Sequence, residues 1–378
     1  MMKISHNFDS GSIVIIDTKD INNIQLELKT DNNDNTMQWF HFRCHTHAGL
    51  RHTIRILNAG DSSFSRAWEN YQAMASYDQI NWFRVPTKFI NKELVINYTP
   101  TKDEISYAYF TPYNYARQQK FIKQIQKVEQ CQHTILASTR DNNAIDLLTI
   151  GEPELGKKAI WIIARQHPGE TMAQWFTEGL VNHLLSQDNN SRRLLEKAVF
   201  YIVPNMNPDG CIKGNHRTNG HGLNLNRQWH NPSKTLCPEV YYVQEKMAQT
   251  GVDLLLDIHG DEEIPYNFIM PAKGSSTISA QANEFKSNFM AATKEFQIEV
   301  DYDNFHKKQS RCCGTTCSGK QSMASQYVTN TFGCLALVLE MPFIDHNNQP
   351  NSITGWSAPR SINLGADILK PIISFCKI

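Results

Sequence analysis

From Thr134 onward, short apolar runs alternate with amphipathic helix patterns, and this constrains the fold more than any other feature of the chain. Strand-like runs fall at Thr134–Ser138, Ile145–Ile150, Ile160–Arg165, Ala198–Val203, Leu254–Ile258 and Leu335–Glu340. Helix patterns lie between and after them, over 171–186, 238–250, 279–296 and 361–375. Strands written as unbroken apolar runs are buried on both faces, and the intervening helices cover those faces. The alternation therefore predicts an α/β domain built on a mixed, mostly buried sheet flanked by helices.

The first part of the chain is patterned differently. Ser12–Ile16, Ile24–Leu28, Met37–Cys44, Thr53–Leu57, Ile80–Val85, Glu93–Tyr98 and Ile105–Phe110 are short and rich in β-branched or aromatic residues. Turn chemistry separates them at Asp31-Asn32-Asn33-Asp34, Asn58-Ala59-Gly60, Asn91-Lys92 and Thr99-Pro100. Such strands at this spacing predict an all-β sandwich domain. A charged, Gln-rich helix pattern starts after Pro112, so the expected division is 1–112 and 113–378. A chain of 378 residues is long enough to give each part its own core.

Composition narrows the partners. Lys plus Arg and Asp plus Glu balance at 37 each, which leaves no general attraction to nucleic acid or an anionic membrane. No stretch approaches the roughly 20 apolar residues of a membrane span. The opening MMKISHNFDSGSIVIIDTKD has only a four-residue apolar run and an early Asp9, too short and polar for a signal core. Nine cysteines without a disulfide-framework spacing fit reduced thiols. The expectation is a cytoplasmic protein; the oligomeric state is left open.

Chemistry-bearing residues gather where predicted strands end, the usual place for active sites in open α/β sheets. The stretch IWIIARQHPGETMAQWFTEGLVNHLL delivers His167 and Glu170, three residues apart, at a strand-to-helix corner. His259 follows the strand Leu254–Ile258, and Glu340 ends the strand Leu335–Glu340. After Val203 come the polar loop Pro204-Asn205-Met206-Asn207-Pro208-Asp209-Gly210, then Arg217, then Asn226-Arg227. Two imidazoles and one carboxylate suit a single catalytic zinc, leaving a position open for water. Zinc brings the pKa of such a water to roughly 7. Glu340 is the candidate to move the proton, and Arg217 and Arg227 offer planar donors for a carboxylate or oxyanion.

In order, HPGE, GNHR, LNLNR, DIHG and LEMP resemble the zinc metallocarboxypeptidases of the funnelin superfamily. RQHPGETM, NMNPDG and the preceding β-rich part resemble its cytosolic carboxypeptidase, deglutamylase-like branch. The resemblance implies that His167, Glu170 and His259 are zinc ligands, with one Zn2+ per chain. It implies that Asn226 and Arg227 clamp the terminal carboxylate of a peptide or protein substrate, and that Arg217 polarises the scissile carbonyl. Glu340 would be the base that activates the water. The mobile tyrosine of many funnelins has no counterpart at the expected spacing, and Tyr327, 13 residues before Glu340, is not assigned. A preference for acidic (Glu) end residues would need a cation in the pocket, for which Arg311, Lys320 and Arg360 are the candidates.

Other clusters are read more plainly. Cys312-Cys313-Gly314-Thr315-Thr316-Cys317 lacks a fourth ligand at finger-like spacing. His41, His45, His47 and His52 have no recognised ligand spacing and read as packing or surface residues. Asp261-Glu262-Glu263 divides evenly between tuning the site and simple solvation. Three alternatives keep some of these residues: a zinc hydrolase of peptidoglycan peptides, one of N-acyl amino acids, or a non-catalytic binder of peptide tails.

Overall fold

The computed structural model describes residues 2–308 and 322–378. The Cys312–Cys317 run, Arg311 and Lys320 lie outside the described residues.

Ten strands come first: β1 (Lys3–Ser5), β2 (Val14–Asp17), β3 (Ile24–Glu27), β4 (His41–His45), β5 (His52–Ile56), β6 (Met74–Ser76), β7 (Phe83–Arg84), β8 (Thr87–Ile90), β9 (Glu93–Tyr98) and β10 (Glu104–Ala108). They form two five-stranded sheets, ordered β1-β4-β10-β6-β7 and β2-β3-β5-β9-β8. Alternation along β3, β5 and β9 sends Ile24, Leu26, Ile54, Ile56, Leu94 and Ile96 inward, where they pack with Phe42, Cys44, Ile105 and Tyr107 of the other sheet. The predicted strands are present but shifted by a few residues. The run Ile80–Val85 forms only the two-residue β7, because Asp78 turns the chain by accepting from Ile80 and Asn81 N–H at 2.8 and 2.7 Å. Strands β1, β6 and β8 carry too little pattern to be read from sequence, being only three or four residues long.

The helix α1 (Tyr115–Ile125) leads into a seven-stranded mixed sheet of β11 (Cys131–Ser138), β12 (Ala144–Ile150), β13 (Lys158–Ala164), β14 (Ala198–Val203), β15 (Leu254–Asp261), β16 (Phe268–Pro271) and β17 (Leu335–Pro342). The order is β11-β12-β14-β13-β15-β17-β16. The four central strands β14, β13, β15 and β17 are parallel, with antiparallel strands at the edges. One face is covered by α2 (Met172–Leu184), α3 (Asn189–Lys197), α6 (Ser276–Ala292), α9 (Ala358–Asp367) and α10 (Leu369–Phe375), through residues such as Phe176, Leu180, Phe285, Phe289, Leu364 and Ile372. The other face packs Trp161, Tyr201 and Leu255 against α5 (Pro238–Thr250) and α8 (Ala324–Phe332), and two short helices, α4 (Pro208–Lys213) and α7 (Tyr302–Lys308), lie in the connections. Both faces of the central strands are buried, as their apolar runs require, whereas the edge strand β11, which holds the predicted run Thr134–Ser138, is largely exposed because only one neighbour pairs with it. No helix among the described residues is long and apolar enough to cross a membrane.

The strand order places the chemistry. From β13 the chain passes to β14 on one side and later to β15 on the other, so β13 is the topological switch point, where open α/β sheets bind ligands. His167 follows β13, His259 is on the neighbouring β15, and Glu340 on β17 lies directly beside His259 in the parallel register.

Candidate metal centre

At the end of β13 the chain turns sharply through Arg165, a non-glycine residue at φ +59°. Its buried guanidinium makes the turn tenable by donating from Nε to the Pro168 carbonyl at 2.9 Å and from NH1 to the Tyr113 carbonyl at 2.7 Å. Gly169 sits where a Cβ would lie 2.3 Å from His216 Nδ1, and its N–H donates to the His216 carbonyl at 2.8 Å. The turn thus brings His167 and Glu170 back over the sheet and ties them to the segment that carries Arg217.

His167, Glu170 and His259 converge, each almost fully buried, with potential ligand atoms all within 4.8 Å of one another. Their surroundings determine which atoms face the centre. Asn224 Oδ1 accepts the Asn226 N–H at 3.0 Å and lies 3.0 Å from His167 Nε2, so that nitrogen carries its proton. Asp257 Oδ1 lies 2.9 Å from His259 Nε2, and the Asp257 carboxylate is held by Gln166 Nε2 at 2.9 and 2.8 Å. Both rings therefore turn Nδ1 inward. These nitrogens are 3.2 Å apart and lie 2.6 and 2.8 Å from the two oxygens of Glu170. Bare nitrogens and carboxylate oxygens this close repel unless a cation or extra protons sit between them. Two imidazole nitrogens and a carboxylate are a donor set that zinc takes.

The electrostatics follow from burial and these contacts. Burial, then the Arg217 charge, holds His167 down at about 3. Burial also disfavours a charged His259, yet Asp257 and Glu170 hold that ring well above its ordinary range. Burial opposes ionisation of Glu170, but the two rings keep its carboxyl below the usual range. Glu340 shows the opposite result. Burial, reinforced by Glu170, Asp261 and Glu262, pushes its carboxyl well up against the pull of His259. Glu340 Oε2 is shielded from solvent and has no hydrogen-bond partner among the described residues. A carboxyl so raised can hold a proton and pass it on.

The two arginines stand close enough to influence one another: burial and then the Arg217 charge lower Arg227. Arg227 NH1 donates to the Asn226 carbonyl at 2.8 Å, and Arg217 lies over the Phe64 ring at 5.4 Å. Asn226 is buried, with Oδ1 accepting Ala324 N–H at 3.0 Å and Nδ2 facing His259 Nε2 at 3.3 Å. Glu262 is not a solvated acid: it is buried, contacts His216 Nε2 at 2.7 Å and approaches Arg217 NH1 at 4.0 Å. Burial, then Glu262, pushes Asp261 up to about 7. Arg360 is bound to Glu295 from Nε and NH2 at 2.9 and 2.5 Å, which counts against it as the pocket cation. His41 and His52 are buried against Ser10 and Tyr107, while His45 and His47 lie at the surface. Tyr327 packs against Trp229 at 5.8 Å.

Sequence reasoning passed over Asn224, Asp257 and Gln166, which orient the two rings. Asp257 carried a signal, being a charge inside the apolar run LLLDIH.

Residues 4–110 match the family model of the cytosolic carboxypeptidase N-terminal domain, and residues 118–353 match that of zinc carboxypeptidase. The chain belongs to the zinc carboxypeptidase family. This carboxypeptidase superposes on a metallo-carboxypeptidase from Burkholderia cenocepacia with a TM-score of 0.94 and 38% identity, over 100% of this chain and 99% of that one. A metallo-carboxypeptidase from Pseudomonas aeruginosa, solved in complex with (2-guanidinoethylmercapto)succinic acid, gives 0.92 at 38% identity over 99% of each chain. Cytosolic carboxypeptidase 6 of Caenorhabditis elegans is 24% identical over 92% of this chain and 80% of its own length. As a zinc carboxypeptidase the protein is a hydrolase of peptide substrates, and Zn2+ is its cofactor.

Proposed function

We propose that this carboxypeptidase removes the C-terminal residue of a peptide or protein in the cytoplasm. In this reading His167, Glu170 and His259 hold Zn2+, and Arg217, Asn226, Arg227 and Glu340 carry the rest of the reaction. The observation behind it is the inward convergence of both Nδ1 atoms on Glu170, with Glu340 beside His259 in register and one of its oxygens unpartnered among the described residues. The ion supplies Lewis acidity, which makes a water nucleophile available near neutral pH.

The protein's own groups do the rest. Arg227, together with Asn226, binds the terminal carboxylate and confines cleavage to the last peptide bond. Arg217 donates to the scissile carbonyl oxygen as it gains charge. Glu340 Oε2 takes the proton of the attacking water and returns it to the leaving amine. The division of the chain at residue 112, between β10 and α1, is proposed on the same footing.

Two preferences for the end residue compete. The cytosolic carboxypeptidase relatives, read through the deglutamylase-like resemblance, favour glutamate. The ligand of the Pseudomonas enzyme joins a guanidinium to two carboxylates, which favours an arginine-like end residue. A panel of blocked peptides differing only in the last residue, with muropeptides and N-acyl amino acids beside it, tests both, with mass spectrometry reading release with and without chelator. Chelator-sensitive loss of a single C-terminal residue supports the function and identifies the preference. Cleavage of N-acyl amino acids or muropeptides alone, or of nothing, overturns it in favour of the corresponding alternative.

A further inference from the structure

The N-terminal β unit reaches toward the catalytic centre through the turn that begins with Asp31. Asp31 is 4% exposed and lies 186 residues before Arg217. Its Oδ1 accepts the His216 N–H at 2.6 Å. Its Oδ2 accepts the Arg217 N–H at 2.8 Å, the Thr218 N–H at 2.9 Å and the Thr218 hydroxyl at 3.0 Å. One carboxylate therefore gathers three consecutive amides, a charge-assisted arrangement stronger than neutral hydrogen bonds.

The neighbours of Asp31 seat the same segment. Asn32 Nδ2 donates to the Gly220 carbonyl at 2.8 Å, and Asn215 Nδ2 donates to Asn32 Oδ1. Gly222, at φ +84°, lies where a Cβ would come 2.8 Å from the carbonyl oxygens of Asn32 and Asn33, so only glycine allows the two backbones to meet there. From the same unit, Phe64 places its ring against His216 and under the Arg217 guanidinium. Both the backbone and the side chain of Arg217 are thus held by residues outside the α/β domain.

We infer that Asp31 is a positioning residue for the carboxypeptidase reaction, fixing the 216–218 backbone so that the Arg217 guanidinium meets the scissile carbonyl. This makes the β unit a working part of the centre, and it rests on the role given to Arg217 above. Asp31→Asn replaces an acceptor oxygen with an amide that confronts the same N–H donors. The 216–218 segment then has to shift, and Arg217 shifts with it.

The test uses the full zinc-loaded chain and an N-acetylated tetrapeptide carrying the end residue that the panel selects. Wild type, Asp31→Asn, Arg217→Ala and the double variant are compared for kcat, KM and zinc per chain. Misplacing a catalytic group by about 1 Å costs on the order of 100-fold, and Asp31→Asn is expected to lower kcat by about that factor with KM little changed and zinc retained. In the Arg217→Ala background the same change should add nothing.

An unchanged kcat in Asp31→Asn overturns the inference. So does an equal loss in both backgrounds, which would mean action by another route, such as the Gly169 contact with His216. If Arg217→Ala alone keeps full kcat, the role of Arg217 falls and this inference falls with it. A slow Arg217→Ala beside a full-speed Asp31→Asn sinks only the inference. Should Asp31→Asn fail to fold, Asn32→Ala, which removes the side-chain contacts to Gly220 and Asn215 that seat the same turn, takes its place: a kcat loss that appears with Arg217 present and vanishes in the Arg217→Ala background supports the inference, and an unchanged kcat overturns it.

Discussion

Orientation of the two imidazoles is the residue-scale feature on which the proposed metal centre depends. His259 presents Nδ1 inward because Asp257 holds its Nε2 at 2.9 Å, and Asp257 is fixed in turn by Gln166, whose Oε1 accepts from Trp229 Nε1 at 2.8 Å. Partners of this kind set the tautomer and basicity of a ligand histidine, and losing one typically weakens the metal about 10- to 100-fold. Asp257→Asn is therefore expected to weaken zinc binding about 10- to 100-fold, measured by competition against a chromophoric chelator. Unchanged affinity would show that Asp257 is only a packing residue. The residues that converge here were legible because chemistry and position agreed: His167, Glu170, His259 and Glu340 each sit at the carboxyl end of an apolar run. Asp31 was not legible. Its partners are 185 to 187 residues away, and nothing in a turn rich in Asn and Asp distinguishes an acid that caps a distant loop from one that caps its own.

At the scale of elements, the apolar periodicity places α5 and β14 at the limits observed, and it runs two helices together at the C-terminal end. The pattern over 361–375 is continuous, but α9 ends at Asp367 and α10 starts at Leu369. Pro371 has no N–H to continue the ladder and is tolerated only near a helix start, so the break was readable from the proline. Helix α5 carries a buried acid that is testable. Glu239, in its first turn, is pushed up to about 8 by burial and then by Asp209, against weak donation from Asn219 Nδ2 at 3.4 Å to each oxygen. In the unfolded chain this carboxyl ionises near its ordinary value of 4.5, whereas in the folded chain it keeps its proton until about pH 8. Its contribution to stability is thus fully present below about pH 4.5 and is lost as pH rises toward 8. Glu239→Gln removes this dependence. The urea midpoint of the variant should gain on wild type by the equivalent of about 1 kcal/mol per pH unit across that window. A difference between the two that does not vary with pH would mean that Glu239 is ionised in the folded protein.

For the whole molecule, the alternation of strands and helices foretold the α/β domain but not the strand order, because which strand neighbours β13 is decided by contacts far apart in sequence. Nor did it show how the two parts of the chain adhere. Tyr109, just after β10, stacks on Phe343, just after β17, with centroids 4.6 Å apart and planes 20° from parallel. Phe110 meets the same ring edge-on at 5.9 Å, and residues from both parts fall in one continuous hydrophobic cluster. Elsewhere on this seam Arg84 N–H donates to the Ile353 carbonyl at 2.7 Å. The proposed division near residue 112 would thus separate folding patterns along the chain, whereas the apolar packing across the seam makes a single cooperative unit the physical expectation. Phe343→Ala should cost about 3–5 kcal/mol, since it empties a buried aromatic site and abolishes the stack. In calorimetry of the zinc-loaded chain the whole unfolding transition is expected to move down in temperature without splitting. If instead only part of the heat moved, or two peaks separated, the two parts would be melting independently, and the seam would be a contact between separate domains rather than a shared core.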